Sequence, residues 1–79
     1  MRLDKFLKVS RVIKRRTVAN EACENGRVSI NGRVGKPSAK VKAGDIIEIA
    51  FGSGTTKIEV LAVTEHATKE SARDMFKIL

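Results

Sequence analysis

The stretch Gly26-Arg27-Val28-Ser29-Ile30-Asn31-Gly32 constrains this chain more than any other. Asn25-Gly26 stops a helix, glycine being the usual residue for the left-handed position that follows one. Val28 and Ile30 then alternate with Arg27 and Ser29, the pattern of a strand with one buried face. Asn31-Gly32 is the strongest short hairpin signal, because both positions tolerate positive φ. Helix, strand and tight turn in so short a span imply an α+β fold, with helices packed on a small antiparallel sheet.

The flanking sequence extends that plan. Upstream, Leu3, Phe6 and Leu7 recur at helical spacing and continue less cleanly to Val9, Val12 and Ile13. Asp4 lies in the first turn, where a carboxylate interacts favourably with a helix N-terminus. Arg2, Lys5, Lys8 and Arg11 fall between the apolar positions, giving this helix a core side and a cationic side. Lys14-Arg15-Arg16 follows. Thr17 is the expected N-cap of a second helix that carries Val18, Ala19, Ala22 and Cys23 on one face. Two helices thus meet at a run of cations.

Downstream, Arg33-Val34 turns back from the hairpin, and Gly35 to Lys42 reads as a loop holding Lys36, Lys40 and Lys42. Gly44-Asp45 marks another turn. Ile47, Ile49 and Phe51 alternate on one strand, Gly52 to Thr56 is turn material, and Ile58, Val60 and Ala62 form the inward face of a further strand. From Thr68, the spacing of Ala72, Met75, Phe76 and Leu79 predicts a last helix capped by Thr68 and packed on the sheet. At 79 residues the whole is one domain, near the lower size limit for a single core. That size leaves little room for a catalytic cleft with its own supporting shell.

Charge narrows the function. The net charge is +7, unevenly placed: residues 1–44 carry 12 Lys/Arg against 3 Asp/Glu, and residues 45–79 carry 4 against 6. Solubility alone does not require such asymmetry, whereas a face built for a polyanion does. Cys23, the one cysteine, sits at an apolar helix position and reads as core packing, with no intrachain disulfide possible. No apolar run approaches membrane-spanning length and no signal-peptide core is visible, so a cytoplasmic protein without membrane contact is expected.

Seven cations, Arg2, Lys5, Lys8, Arg11, Lys14, Arg15 and Arg16, make the first candidate set for a nucleic-acid backbone, since each phosphate contact releases condensed counterions. Arginine suits bidentate phosphate contact better than lysine, which ranks Arg2, Arg11, Arg15 and Arg16 first. Arg33, Lys36, Lys40 and Lys42 form a second patch. Asp4 is expected to orient a nearby arginine, and Asn31 and Gly32 to serve the turn. Aromatic residues are 4% of the chain, all Phe, and Phe6, Phe51 and Phe76 fall at core-like positions. Stacking platforms are therefore not expected, and recognition should be of folded RNA by shape and phosphate. His66 has no Cys or His partner at metal spacing, and no nucleophile arrangement or phosphate-binding glycine loop is present. Neither an enzyme, a cofactor nor a metal is expected.

Arg2-Leu3-Asp4-Lys5-Phe6-Leu7, Ala22, Gly26 to Gly32, Pro37, Val41 and Gly44-Asp45-Ile46-Ile47 together resemble the S4 RNA-binding domain over about residues 1–50. The resemblance implies the S4-type (alpha-L) fold: two N-terminal helices on a small antiparallel sheet, with a strand and a short C-terminal helix in residues 57–79. It also implies that the two helices and the strand after them make the RNA face. The whole chain, with its run Lys8-Val9-Ser10-Arg11-Val12-Ile13-Lys14-Arg15-Arg16-Thr17, resembles the RqcP family of small bacterial ribosome-associated quality-control proteins. That likeness implies docking on large-subunit rRNA and on peptidyl-tRNA left by a stall, and a monomer is the default expectation. There it would support alanine tailing by a separate elongation factor. Two other readings stand beside it. One is the S4 heat-shock type that acts on obstructed large subunits, disfavoured by the acidic second half. The other is a protein-recruiting module using the sheet and last helix. A DNA reader is least favoured, since no helix is built for major-groove edges.

Overall fold

The Asn31-Gly32 turn forms as its sequence dictates. In the computed structural model, which describes residues 1–79 throughout, these residues take φ of 51° and 84°. Ile30 pairs with Arg33 across the loop. The hairpin joins β1 (Val28–Ile30) to β2 (Arg33–Val34). With β3 (Ile46–Phe51), β4 (Gly54–Val60) and β5 (Phe76–Ile78) they form one antiparallel sheet in the order β2-β1-β3-β4-β5. Asn31 does more than turn the chain. Its side-chain amide donates to Asp45 Oδ1 at 3.1 Å, and its Oδ1 accepts from the Ile46 N–H at 2.9 Å. Asp45 is buried and also accepts from the Lys42 N–H at 2.9 Å. The hairpin and the Gly44-Asp45 turn are thereby pinned together with their polar groups satisfied.

Two-residue alternation sets the layers. Val28, Ile47, Ile49, Ile58 and Val60 lie on one face and are buried, whereas Ser29, Glu48 and Lys57 stand in register on the other, open face. The inner face packs against α1 (Leu3–Val9) and α2 (Arg16–Glu24) through Leu3, Phe6, Leu7, Ala19 and Cys23. Burying each large apolar side chain contributes on the order of 2 kcal/mol.

Both helices differ from the sequence expectation at their junction. α1 stops at Val9, and Arg11 takes φ 64°, donating its N–H to the Lys8 carbonyl at 3.0 Å. Ile13 reaches the core from a turn, its N–H bonded to the Leu7 carbonyl at 3.0 Å. Thr17 is not an N-cap: α2 begins at Arg16, and the extended Arg15 precedes it without a side-chain cap. Only Ala19 and Cys23, four residues apart, face inward fully, and Val18 is 48% exposed.

The C-terminal segment departs further. Thr68 does cap a helix, its Oγ1 accepting from the Ser71 N–H at 3.1 Å while Ser71 Oγ accepts from the Thr68 N–H at 2.8 Å. That helix, α3 (Lys69–Ala72), lasts one turn before a 3-10 turn (Arg73–Met75), and Phe76 to Ile78 then extend as β5. Ala72 and Met75 are buried as expected, but Phe76 pairs with Val60, and Leu79 donates its N–H to the Lys57 carbonyl at 2.9 Å. Without β5, the edge of β4 would leave a row of backbone groups unpaired, and pairing them wins over a further helical turn. Thr55 and Thr56 belong to β4, Ala62 lies exposed beyond it, and Phe51 is 42% exposed at the end of β3. No helix of the structure is long and apolar enough to cross a membrane.

Candidate nucleic-acid interface

A helix N-terminus leaves backbone N–H groups without partners, and α1 has no side-chain cap at Arg2. The 36–42 loop supplies the partners instead. The Leu3 N–H donates to the Ala39 carbonyl at 2.8 Å, the Asp4 N–H to Pro37 at 3.2 Å, and the Val41 N–H returns to Met1 at 2.9 Å. Gly35 permits this close seat, since a Cβ there would lie 2.7 Å from Leu3 Cδ2. The docked loop brings Lys36 and Lys40 beside Arg2, with Arg2 bridged to Lys40 along the backbone. Lys36 and Lys40 of the second basic patch thus join the first set at Arg2.

Asp4 organises the centre. Its side chain is 2% exposed, and it accepts from Arg2 Nε at 3.2 Å, Arg2 Nη2 at 3.3 Å, Asn20 Nδ2 at 3.3 Å and the Lys5 N–H at 2.7 Å. Arg16 Nη2 stands 3.6 Å away. Burial pushes the Asp4 carboxyl up, but the hydrogen bonds from Asn20, Arg2 and the Lys5 amide, with the Arg16 charge, outweigh it and hold the pKa below the usual value. One buried carboxylate therefore engages arginines from the starts of two helices, whose side chains are 50% and 48% exposed. The remaining donors of each planar fork are left for an outside anion.

Lys5 is half-buried and pairs with Glu65, whose exposed carboxyl is lowered chiefly by that hydrogen bond. Lys8, Arg11, Lys14 and Arg15 are exposed and take part in no ion pair. A groove of about 490 Å³ runs between α2 and the segment 34–38, with Arg2, Asn20, Glu24 and Lys36 on its walls. Cys23 also lines it. Burial, then the charges of Asp4 and Glu24, push that thiol up to about 11, which keeps it an inert packing group. Arg33 on β2 and Lys42 before the Gly44-Asp45 turn are exposed and line neither this groove nor the Asp4 cluster. Arg2, Arg16, Lys36 and Lys40 together give this surface the charge and donors to grip phosphates.

The S4 domain family model matches residues 1–47. The chain is 50% identical over 78 residues to the RQC P-site tRNA stabilizing factor of Halalkalibacterium halodurans, covering 99% of this chain and 89% of that one. It is 49% identical over 79 residues to the Bacillus subtilis protein of the same name, covering 100% and 92%. Among solved structures, the trimeric Heat Shock Protein 15 of Vibrio cholerae superposes with a TM-score of 0.91 at 29% identity, covering 100% of this chain and 81% of that one. This chain belongs to the S4 domain family, in the group of RQC P-site tRNA stabilizing factors.

In this S4 domain, the sequence identified the cations and the orienting role of Asp4. It did not reveal Asn20 as a third donor on that carboxylate, or that Arg2 and Arg16 share it. Asn20 carries no signal of its own, because its role depends on how two helices cross. Gly35 was visible only as loop material, and its packing against Leu3 is a long-range contact. Phe51, taken as core, is exposed, because the alternating pattern gives a side chain's face but not how far the helices extend over it.

Proposed function

We propose that this chain docks on a large ribosomal subunit that still holds peptidyl-tRNA after a stall and steadies the tRNA in the P site. Alanine tailing of the nascent chain then proceeds through a separate elongation factor. The observation that carries the reading is the pair Arg2 and Arg16, the first hydrogen-bonded and the second ion-paired to buried Asp4, with about half of each side chain exposed. Fixed cations lose little conformational entropy on binding and suit the regular backbone of folded RNA. The names of the relatives support the tRNA part of the proposal. Arg33, Lys36, Lys40 and Lys42 extend the same polyanion contact, the protein acts as a monomer in the cytoplasm, and its role is positional rather than catalytic.

Co-sedimentation with purified large subunits, empty or carrying peptidyl-tRNA, tests this. Wild type is expected on the tRNA-bearing subunit, and Arg2→Ala and Arg16→Ala are expected to lose it. With about six phosphate contacts, affinity should fall roughly a thousand-fold between low and physiological salt. Equal binding to empty subunits would replace the proposal with a general rRNA-binding factor, and no binding at all would end it.

A further inference from the structure

A second cationic groove, of about 420 Å³, lies between the α1–α2 turn and the loop from β4 to α3. Lys8, Arg11 and Lys14 form one wall, and His66 and Lys69 stand on the other with Glu65. The far wall comes from the half of the chain whose net charge is negative, which the charge asymmetry alone assigns away from RNA. The groove's four Lys/Arg side chains, Lys8, Arg11, Lys14 and Lys69, are all exposed and none is in an ion pair. The single carboxylate, Glu65, is engaged by Lys5.

Arg11 is the telling residue. It occupies the left-handed position after α1, at φ 64°, where helices ordinarily carry glycine. Folding alone favours glycine there, yet the position carries a long cation on the groove. We propose that this groove is a second RNA site, taking the sugar-phosphate backbone between Arg11 and Lys14 on one side and Lys69 on the other, with His66 offering a ring N–H. The inference rests on the RNA-binding reading above and extends the contact from the Arg2–Arg16 edge to the C-terminal half.

Three full-length variants, bound to large subunits carrying peptidyl-tRNA over a range of salt, test it. Arg11→Gly is expected to melt at or above the wild-type temperature while binding about tenfold more weakly. Its salt slope should be shallower by about one, the value of one lost phosphate contact. Lys69→Ala should weaken binding several-fold with a similar change of slope. Glu65→Gln should bind a few-fold more tightly, because it removes the only carboxylate on the groove and releases Lys5. Loss of fold cannot produce that pattern. Wild-type affinity and slope in Arg11→Gly and Lys69→Ala, while Arg16→Ala loses binding, would overturn the groove and leave the main interface standing. Weaker binding with an unchanged salt slope would overturn the RNA assignment in favour of a protein contact. Failure of the wild type to bind these subunits would overturn both readings.

Discussion

Arg16 and Arg15 are neighbours in sequence and opposites in structure. Arg16 starts α2 and leans on Asp4, whereas Arg15, the extended residue before it, has no ionic partner. Arg2 belongs with the first kind, and Lys8, Arg11 and Lys14 with the second. A held cation has part of its rotamer freedom restricted by its partner and favours one direction. A free one adapts to whatever phosphate is near, losing up to about 2 kcal/mol of side-chain entropy as it does so. Held arginines should decide where RNA sits, and free cations should mainly set how strongly it is attracted.

The strongest way to break this contrast is Asp4→Asn. Removing a negative charge beside a phosphate site should tighten binding if charge alone matters. We expect instead at least a tenfold loss on the tRNA-bearing subunit, because both guanidiniums lose their anchor. In that background a further Arg16→Ala change should cost clearly less than it does in wild type, a non-additivity that a double-mutant cycle measures. Gly35→Ala attacks the same edge from behind. Its methyl would meet Leu3, which is buried, and overpacking of this kind costs about 1–3 kcal/mol. Thermal melting should fall by several degrees, with weaker binding as the loop that carries Lys36 and Lys40 lifts off α1.

A smaller and sharper test swaps arginine for lysine. Arg16→Lys, which loses the planar fork, should reduce affinity about fivefold, whereas Arg15→Lys should stay within a factor of two, since a free cation works nearly as well as a point charge. Equal effects would erase the distinction. The smallest effect is in acid. Asp4 has its pKa lowered by folding, so its contribution is complete well above pH 4 and is lost as pH falls through the folded value. The stability gap between wild type and Asp4→Asn, measured by urea unfolding, should therefore be constant near neutrality and narrow below about pH 4.

What the sequence made legible was what is local. The Asn31-Gly32 turn, the helix stop at Gly26 and the Thr68 cap each depend on residues within one turn of each other, and each formed as expected. The cations were legible as a set because charge needs no partner to be seen. The division of that set into held and free members was not, because it depends on Asp4 and Asn20 meeting across the α1–α2 packing. The tail shows the same limit from the other side. Ala72 and Met75 kept their helical spacing, but the open edge of β4, fixed by residues far upstream, claimed Phe76 to Ile78 as a strand. His66 and Lys69, counted with the acidic half, face Lys8, Arg11 and Lys14 across a groove that no linear tally of charge could display.

The seat of residues 37–39 on the start of α1 has a consequence for how this protein comes into being. A helix of seven residues does not persist alone in water, and here its opening amides are satisfied by carbonyls more than thirty positions later. A fragment ending near Gly26 is thus expected to be unstructured, with its arginines pointing nowhere in particular. The gripping edge is absent from the nascent chain until the loop has been made and has closed back. On the proposed reading, RNA bound at this edge would reinforce it, because a ligand that recognises only the closed arrangement shifts the balance toward the folded chain.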